Sequence, residues 1–464
     1  MTMADKEHTD PERMEKIVSL CKRRGFIYQS AELYGGLNGC WDYGPLGVEM
    51  KRNLKDYWWR KNVQERDDIV GLDGSILTHQ AVLNASGHVG GFSDPMVDCR
   101  PCKARFRADN LEGMQCPKKP SCTPGEGADC DLTEAKEFNL MFQTTMGASA
   151  DDNDPNAIAY LRPETAQSIF TQFKNVLDTN RLKIPFGIAQ IGKAFRNEIN
   201  PRNFTFRSRE FEQMEVEYFC RPEDGMRLTD EWLEARLTFY EEIGVPREKL
   251  HVLDIPDGER AHYSKKTYDI EYDFPFGRQE LEGVAYRTDY DLSKHQEHSG
   301  KPIEYFDEQT KEKFLPHVVE PSAGCDRTIL ALICEAYHEE EVTDAKGKTD
   351  IRTVMRFHPR MAPIKAAIFP LLKKNEEQVR ICREIQRELE RYMTVFYDQS
   401  GAVGRRYRRQ DEVGTPFCIT VDFETLGENG DELKDTVTLR HRDSMEQERV
   451  PISELLPRLM EQIR

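Results

Sequence analysis

Two long strand-like runs on either side of a short polar loop constrain the fold of this 464-residue chain more than any other feature. The runs read IPFGIAQIGKAFRNEI and FRSREFEQMEVEYFC, and together they predict an antiparallel hairpin. Because strand side chains alternate between two faces, Arg196 and Glu198 are predicted to point the same way, with Arg207 and Arg209 across the turn. Paired guanidinium groups suit phosphate oxygens, and Phe211 offers a flat face to a purine. Taken alone, the pattern also fits a salt-bridged hairpin on a protein surface.

The segments around this hairpin predict a mixed fold in two parts. The strand candidates TYDIEYDF and LEGVAYRTDYDL, and a strand that turns through Gly324 into a helix, favour an α+β domain over residues 1–358. Over residues 359–464 strands alternate with helices, which is typical of a small α/β domain. Residues from about 93 to 156 carry five cysteines with weak periodicity, and we interpret them as an insertion.

The composition narrows the class of protein. The formal net charge is -17 at pH 7, so nucleic acid cannot be held by overall basicity, and any RNA contact must use local basic surfaces. The polar N-terminal residues lack the apolar core of a signal peptide, and no run is long enough to span a bilayer. The twelve cysteines are therefore expected to be reduced thiols or metal ligands in a cytoplasmic protein without membrane contact.

Three segments identify the chain as a member of a known class. GPLGVEMKRNLKDYWWR, headed by Pro45, resembles the first motif of the class II aminoacyl-tRNA synthetases, FRNE with REFEQME the second, and EPSAGCDRTILALI the third. YGGLNGCWDYGPLG, SGHVGGFSDPMVDC, LRPETAQSIF and ELEGVAYRTDYDL are similar to the dimeric glycyl-tRNA synthetases within that class. Ser322 stands where many class II enzymes have glycine. The resemblance covers nearly the whole chain.

The resemblance implies both a fold and an activity. The fold is an antiparallel sheet flanked by helices, followed by an α/β anticodon-binding domain, in a homodimer formed through the first motif. The activity is ligation of glycine to tRNA(Gly), with ATP as the second substrate, through a glycyl-adenylate. A synthetase-like binding protein without catalysis should lack the phosphate-binding arginines and glycine-binding carboxylates that this chain has. An enzyme for threonine, proline or serine is the other alternative, and pyrophosphate exchange with each amino acid separates them.

The nucleotide-site residues of the family carry over onto matching positions. Arg196, Arg327 and Glu280 are the implied catalytic residues. Arg196 contacts the α-phosphate and the attacking carboxylate, Arg327 covers adenine and reaches the γ-phosphate, and Glu280 holds Mg²⁺. Phe211 stacks on adenine and Glu198 reads its amino group. The full set implied for ATP is Arg196, Asn197, Glu198, Phe206, Arg207, Ser208, Arg209, Glu210, Phe211, Glu280, Leu281, Gly324, Cys325, Asp326 and Arg327.

Glycine has no side chain to grip, and contact discriminates one methyl group by only about 1–3 kcal/mol. The resemblance implies a tight pocket of carboxylates around the ammonium group, in which a methyl group would desolvate charge. Arg287 offsets the repulsion among these carboxylates, and Glu320 is also expected, with Glu280, near Mg²⁺. The full set implied for glycine is Arg107, Glu164, Phe211, Glu212, Gln213, Met214, Glu215, Arg287, Glu320, Pro321, Ser322, Ala323 and Gly324.

The cysteines of the insertion leave two interpretations open. Cys99 and Cys102 have the spacing of metal ligands, whereas their candidate partners Cys116, Cys122 and Cys130 are irregularly spaced. Structural zinc and free thiols both fit, and a catalytic role for zinc is not expected.

The C-terminal domain contains one basic segment, GRRYRRQDEVGTP, which places four arginines around Tyr407. Basic residues interleaved with an aromatic residue can hold phosphates and stack a base, so RNA contact is expected here, although a solvated charged loop fits the same pattern. His295 and His298 are interpreted as surface polar residues.

Overall fold

The structure, a computed structural model, describes residues 9–111, 114–126, 130–147, 157–261, 263–343, 347, 349–428 and 430–464. Its helices α1 to α11 are Pro11–Arg24, Pro45–Trp59, Gln80–Ala85, His88–Gly91, Ala166–Asn180, Gly225–Glu242, Tyr290–Ser299, Cys325–Ala336, Glu376–Leu389, Val403–Val413 and Ile452–Ile463. Its strands β1 to β24 are Ile27–Gln29, Trp41–Tyr43, Ile69–Gly71, Leu77–His79, Ser93–Asp98, Arg105–Arg107, Lys136–Asn139, Gln143–Thr145, Ile158–Leu161, Phe186–Phe195, Glu210–Cys220, Leu250–Asp254, Lys266–Phe274, Gly277–Thr288, Tyr305–Phe306, Lys313–Phe314, His317–Gly324, Tyr337–Thr343, Thr349–Met355, Ala366–Pro370, Val395–Tyr397, Phe417–Val421, Thr436–His441 and Gln447–Pro451. Within these ranges no helix is both long and apolar enough to cross a membrane.

A seven-stranded sheet forms the centre of the N-terminal part, in the order β12-β13-β14-β17-β11-β10-β3. Its neighbouring strands are antiparallel except β10 and β3. The pairing of β10 with β11 confirms the predicted hairpin. However, β10 ends at Phe195, so the prediction that Arg196 and Glu198 lie on the strand is wrong. The chain leaves the ladder there because the Asn197 amide donates to the carbonyl of Leu140 instead of to β11.

Helices pack on both faces of the main sheet. On one face, α1, α2, α6 and α8 contribute apolar side chains to the largest core cluster, with Trp58 and Trp232 among its members. On the opposite face, α5 and α7 cover only the part of the sheet around Phe219. Because side chains of β11 alternate, Glu215 and Phe211 lie on the same face as Phe219, beyond the reach of α5, and line an open cleft.

Local sequence signals explain where the helices begin and end. The carboxylate of Asp10 accepts from the Arg13 amide at 2.9 Å and caps α1, which ends at Gly25 in the left-handed conformation. Asn375 caps α9 in the same way through the amides of Glu377 and Gln378. Residues next to each helix in sequence therefore set where it begins and ends.

The insertion forms a three-stranded sheet in the order β6-β5-β7. Its apolar cluster is small and centres on Val97, Cys99 and Phe106. A core of this size contributes little burial, in agreement with the weak periodicity of the segment.

The C-terminal part is built on a five-stranded sheet in the order β21-β20-β22-β23-β24. Its first three strands are parallel and the last two are antiparallel. Apolar residues of α9 and α11 pack on one face, whereas α10 packs on the other through Tyr407 and Phe369. This arrangement confirms the α/β domain expected from the alternating pattern.

Candidate active site

The open half of the main sheet forms a cleft between β11, β14, β17 and the loop after β10. Most of the predicted site residues meet there, although they come from five separate segments. Those that line it are Glu164, Arg196, Glu198, Phe206, Arg207, Ser208, Phe211, Glu212, Gln213, Glu215, Glu280, Leu281, Arg287, Glu320, Ser322, Gly324, Asp326 and Arg327.

One end of the cleft, called here the carboxylate end, consists of Glu164, Glu215, Glu320, Ser322 and Arg287. Register explains the assembly: Glu215 of β11 pairs with Ser322 of β17, and their side chains meet at 2.6 Å. Arg287 of β14 donates to Glu320 at 2.7 Å from the other side. Both Glu215 and Arg287 are almost fully buried, at 2% and 3% exposure.

Further side chains hold these carboxylates in place. The hydroxyl of Thr165 and the amide of Gln213 donate to Glu215. Gln167 donates to Glu164 at 2.9 Å, and Asp291 accepts from Arg287 at 2.8 and 3.0 Å. A network of this kind fixes the rotamers of the carboxylates before any ligand arrives.

The carboxylate end contains three carboxyl groups and one guanidinium group, so the carboxyl groups repel one another when ionised. Burial and the nearby Glu164 raise the pKa of Glu215, and burial with Glu215 raises the pKa of Glu320 to about 7. Burial opposes ionisation of Glu164, but His88 and then Arg287 lower its pKa below the ordinary value. A cation placed among these groups would relieve the repulsion that holds protons on them.

The other end of the cleft, called here the arginine end, carries Arg196, Arg207 and Arg327. The Arg196 guanidinium lies between the rings of Phe92 and Phe211, at 5.3 and 5.4 Å from their centroids. Its Nε donates to the carbonyl of Pro163, at 3.1 Å, so it lies next to the segment that carries Glu164. Arg196 therefore stands between the two ends.

Arg207 and Arg327 each pair with one carboxylate. Arg207 contacts Glu198 at 2.6 Å, and Arg327 contacts Glu280 at 3.1 Å and lies 4.4 Å from the Phe206 ring. Their side chains remain 28% and 29% exposed. Half-exposed arginines of this kind can exchange a carboxylate partner for phosphate oxygens.

A β-bulge directs Glu280 into the cleft. Ile270 pairs with Glu282 and Glu271 pairs with Glu280, so Leu281 is the extra residue of β14. The extra residue shifts the alternation, and Glu282 points to the opposite face, where it pairs with the buried Arg236 at 2.6 Å. The sequence contains no signal for this bulge.

The structure adds cleft residues that the motifs did not indicate. The Tyr263 ring lies 4.1 Å from the Arg287 guanidinium and lines the carboxylate end. Asp269 lines the arginine end, where burial, and then Glu280 and Glu271, raise its pKa to about 7. The period-two strand reading of TYDIEYDF places Asp269 and Glu271 on one face and could have indicated them.

Behind the carboxylate end lies Glu217, which is completely buried. Neither of its carboxyl oxygens has a hydrogen-bond partner in the part of the chain that the structure describes. Burial, and then the charge of Glu320, raise its pKa well above the ordinary value. Burial therefore favours the neutral form of Glu217.

Several predicted residues lie elsewhere. Met214 of β11 and Ala323 of β17 have side chains in the core on the far side of the sheet, because the motif ranges included both faces of these strands, and Cys325, the first residue of α8, lies in the same core. Their side chains therefore do not face the cleft, and a contact of these residues with substrate, as predicted, would have to use their backbone. The others that do not line the cleft are Arg107, Asn197, Arg209, Glu210 and Pro321.

Arg107 differs most from its predicted position in the glycine pocket. Its guanidinium contacts Asp94 at 3.0 Å and Asp109 at 2.7 Å, rather than the carboxylates of the predicted glycine pocket. It lies near Arg207 and Glu198: both of their charges influence the pKa of Asp94, and the charge of Glu198 also raises the pKa of Arg107. The structure therefore does not bring Arg107 to the carboxylate end.

The five insertion cysteines line one small cavity, and the Cys99 and Cys130 sulfurs lie 3.7 Å apart. Among the described residues, no group of three or more His, Cys, Asp or Glu side chains has the arrangement of a metal site. The cysteines thus come together without reaching metal-ligand geometry.

The basic segment around Tyr407 is a helix, α10, and not a loop. The Tyr407 hydroxyl contacts Thr420 at 2.7 Å, and its partly buried ring packs against Phe369, so stacking of this ring on a base stays a prediction. Arg405 and Arg408 are exposed on this helix. The interpretation of His295 as a surface residue is also wrong, because it is buried and contacts Gln167 at 2.8 Å.

Comparison with known proteins agrees with this geometry. Residues 145–337 match the family model described as tRNA synthetase class II core domain (G, H, P, S and T), and residues 365–462 match the Anticodon binding domain model. The fold and the cleft therefore define a class II aminoacyl-tRNA synthetase.

Similar curated proteins narrow the class to one family. A glycine–tRNA ligase of Treponema denticola is 52% identical over 97% of both chains. Glycine–tRNA ligases of Clostridium perfringens and Thermobifida fusca are 51% and 49% identical, covering 95% and 97% of this chain and 97% and 98% of theirs. The chain belongs to the glycine–tRNA ligase family, and the prediction made from its motifs is confirmed.

Proposed function

We propose that the two ends of the cleft perform the two halves of glycine activation, with glycine at the carboxylate end and ATP at the arginine end. The observation that carries this proposal is the separation of charge along one cleft. Buried acids surround Arg287 at one end, half-exposed arginines lie at the other, and Arg196 stands between them.

In the first step a glycine carboxylate oxygen attacks the α-phosphorus of ATP, and the bond from that phosphorus to the leaving diphosphate breaks. Both reactants are anions, so neutralising and aligning them lowers the barrier more than proton transfer does. Arg196 contacts both reactants, and Arg207 and Arg327 hold the leaving diphosphate. No general base is needed, because the glycine carboxylate is already ionised at pH 7.

In the second step a terminal ribose hydroxyl of tRNA attacks the carbonyl carbon of the adenylate. The ester bond to tRNA forms, the hydroxyl proton is released, and AMP leaves with the electron pair of the broken carbon–oxygen bond. The ammonium group of glycine stays among the carboxylates throughout, so the same contacts orient both steps.

Selection of glycine rests on filled space. Glu164, Glu215 and Glu320 surround the ammonium group, and the Ser322 hydroxyl fixes Glu215 at 2.6 Å. A methyl group on the α-carbon would displace a carboxylate from its hydrogen bonds, which adds a cost to the steric clash. Tyr263 closes the same pocket from the side of Arg287.

Magnesium is proposed at Glu280, with Asp269 as its neighbour. Repulsion with Glu280 contributes to the raised pKa of Asp269, and a divalent cation bound by these hard oxygen ligands would remove it. When bound, the ion neutralises phosphate oxygens. Glu320 remains a predicted second ligand, but its 2.7 Å contact with Arg287 supports a role with glycine.

Structural zinc is proposed for the insertion. Support comes from the donor set, because Cys99, Cys102, Cys116, Cys122 and Cys130 line one cavity and thiolates are the ligands that zinc prefers. Metal analysis of the purified protein tests this. About one zinc per chain, lost together with the order of the insertion on chelation, is expected; a metal-free protein with full activity would contradict it.

The remaining features of the proposal concern organisation. We propose a catalytic domain over residues 1–358, an anticodon-binding domain over 359–464, and a homodimer in the cytoplasm. Leu33, Tyr34 and Leu37, in the segment between β1 and β2, are exposed apolar residues, and such residues support an interface with a second copy. Light scattering during gel filtration should give twice the chain mass.

Glycine-dependent pyrophosphate–ATP exchange tests the central proposal. Exchange should be stimulated by glycine, with alanine and serine at most weakly active, and tRNA(Gly) should accept glycine from the product. Stimulation by serine above that by glycine would contradict the substrate assignment and leave the fold intact.

A further inference from the structure

Buried charges fasten helix α10 of the anticodon-binding domain to the catalytic part. Asp411 of α10 is fully buried, and Arg352 of β19 is only 2% exposed. Arg352 donates to Asp411 at 2.9 Å, while Arg440 of β23 donates to both of its oxygens at 2.8 and 3.1 Å. One carboxylate thus joins a strand of the catalytic part to the core of the C-terminal sheet.

Close packing surrounds this carboxylate. Arg352 also donates to Glu340 and to the carbonyl of Arg442, which in turn donates to the carbonyls of Phe357 and Gly414 at 2.8 and 2.9 Å. Gly414 ends α10 with a φ of +83°, and a Cβ there would lie 2.4 Å from the Phe357 ring. The seam therefore leaves no room for the helix to shift.

Asp411 and Glu340 face Arg352 and Arg440, while Arg356 also contacts Glu340 at 2.8 Å and Arg408 approaches Asp411 at 3.9 Å. Buried ion pairs contribute little net stability compared with apolar packing of the same volume, but their hydrogen bonds are directional. An apolar seam tolerates sliding and rotation. The directional hydrogen bonds of this junction therefore hold the two parts of the protein in one relative orientation.

The junction connects two functional surfaces. On the catalytic side, β18 pairs with β19 and continues directly from α8, whose first turn carries Arg327. On the other side, α10 exposes Arg405 and Arg408. One tRNA must reach the cleft and the anticodon-binding domain at the same time, so their relative orientation sets how often its acceptor end arrives.

We propose that Arg352 and Asp411 are positioning residues for the tRNA-dependent step. They hold the anticodon-binding domain in the orientation that delivers the acceptor end of a bound tRNA to the cleft. This inference rests on the proposed function, because it requires the cleft to form the adenylate on its own. Adenylate formation needs no tRNA, so it should not depend on this contact.

The test compares Asp411→Asn, Arg352→Gln and the double variant in two assays. We expect glycine-dependent pyrophosphate exchange within about twofold of the unchanged protein. We expect kcat/KM for tRNA to fall by roughly 5- to 150-fold, the range of typical coupling between sites. Because the two residues act through one contact, the double variant should be no worse than the more impaired single variant.

The matched control is Glu384→Gln, which removes an exposed ion pair with Arg380 in the same domain and should change neither assay. Where Asp411→Asn does not yield folded protein, Glu340→Gln, at a 28% exposed partner of Arg352, replaces it with a smaller loss of the same kind. Equal losses in both assays, or unchanged aminoacylation, would overturn the inference. If the protein without any substitution shows no glycine-dependent pyrophosphate exchange, the proposed function is contradicted instead.

Discussion

The two ends of the cleft differ in how much of their structure exists before a substrate binds. At the carboxylate end, Glu215 and Arg287 are buried and hydrogen-bonded to several fixed partners. At the arginine end, Arg207 and Arg327 are about a quarter exposed, and each pairs with one carboxylate. Glycine, which has no side chain, requires a rigid site, whereas a triphosphate can displace weak partners and supply its own charge.

The largest expected effect concerns the arginine end. Arg327→Ala should lower glycine-dependent exchange by about 10²–10³-fold, because it removes a cation that faces charge developing on the leaving diphosphate. The matched control is Arg278→Ala, which removes an exposed arginine of the same strand as Glu280 that pairs with Asp273. Nearly normal exchange by Arg327→Ala would refute the role assigned to this residue.

A second variant tests the rigid end. Glu215→Ala should raise the KM for glycine by about 10²-fold, the cost of removing one partner of a buried charge pair, and change the KM for ATP much less. Glu215→Gln keeps the shape and removes the charge, so it separates packing from electrostatics. Equal effects of Glu215→Ala on both substrates would mean that the two ends are not independent.

The pH dependence should separate the ends, because each has one carboxyl with a pKa of about 7, Glu320 and Asp269. A cation binds the ionised form, so the KM for glycine should rise as pH falls through 7, by up to about tenfold per unit. Glu320→Gln should flatten this profile and leave that of ATP. Asp269→Asn should flatten the pH profile of the KM for ATP and leave that of glycine unchanged. If the KM for glycine still depends on pH in Glu320→Gln, the assignment of Glu320 is wrong.

The smallest expected effect is on selectivity. Tyr263→Ala should lower the preference for glycine over alanine by roughly tenfold or less, since one methyl group is discriminated by about 1–3 kcal/mol through contact. Tyr263→Phe keeps the ring and should retain the preference. The measurement is kcat/KM for exchange with each amino acid, and an unchanged ratio in Tyr263→Ala would remove this residue from the pocket wall.

Much of the fold follows from local patterns. The alternation of β10 and β11 predicts the hairpin, because that signal acts between near neighbours. The sequence did not indicate the bulge at Leu281, since an extra residue in a strand leaves its composition unchanged. The strand placement of Arg196 failed for a related reason: a contact with Leu140, distant in sequence, ends β10 early.

The site could be predicted only where a motif supplied the residue. Resemblance indicated Glu164, Glu215 and Glu320 but not Tyr263, and no spacing rule joins a tyrosine to an arginine 24 positions later. The packing of Tyr407 against Phe369 was missed because a run of basic residues does not show which side of a helix faces the core.

A crystal structure with a non-hydrolysable glycyl-adenylate analogue tests the central claim most directly. We expect the ammonium nitrogen to lie within about 3.2 Å of a carboxylate oxygen of Glu215, Glu320 or Glu164. These side chains should keep their present contacts, while Arg207 and Arg327 turn from Glu198 and Glu280 towards the nucleotide. An ammonium group bound away from all three carboxylates, or a carboxylate end that rearranges more than the arginine end, would contradict it.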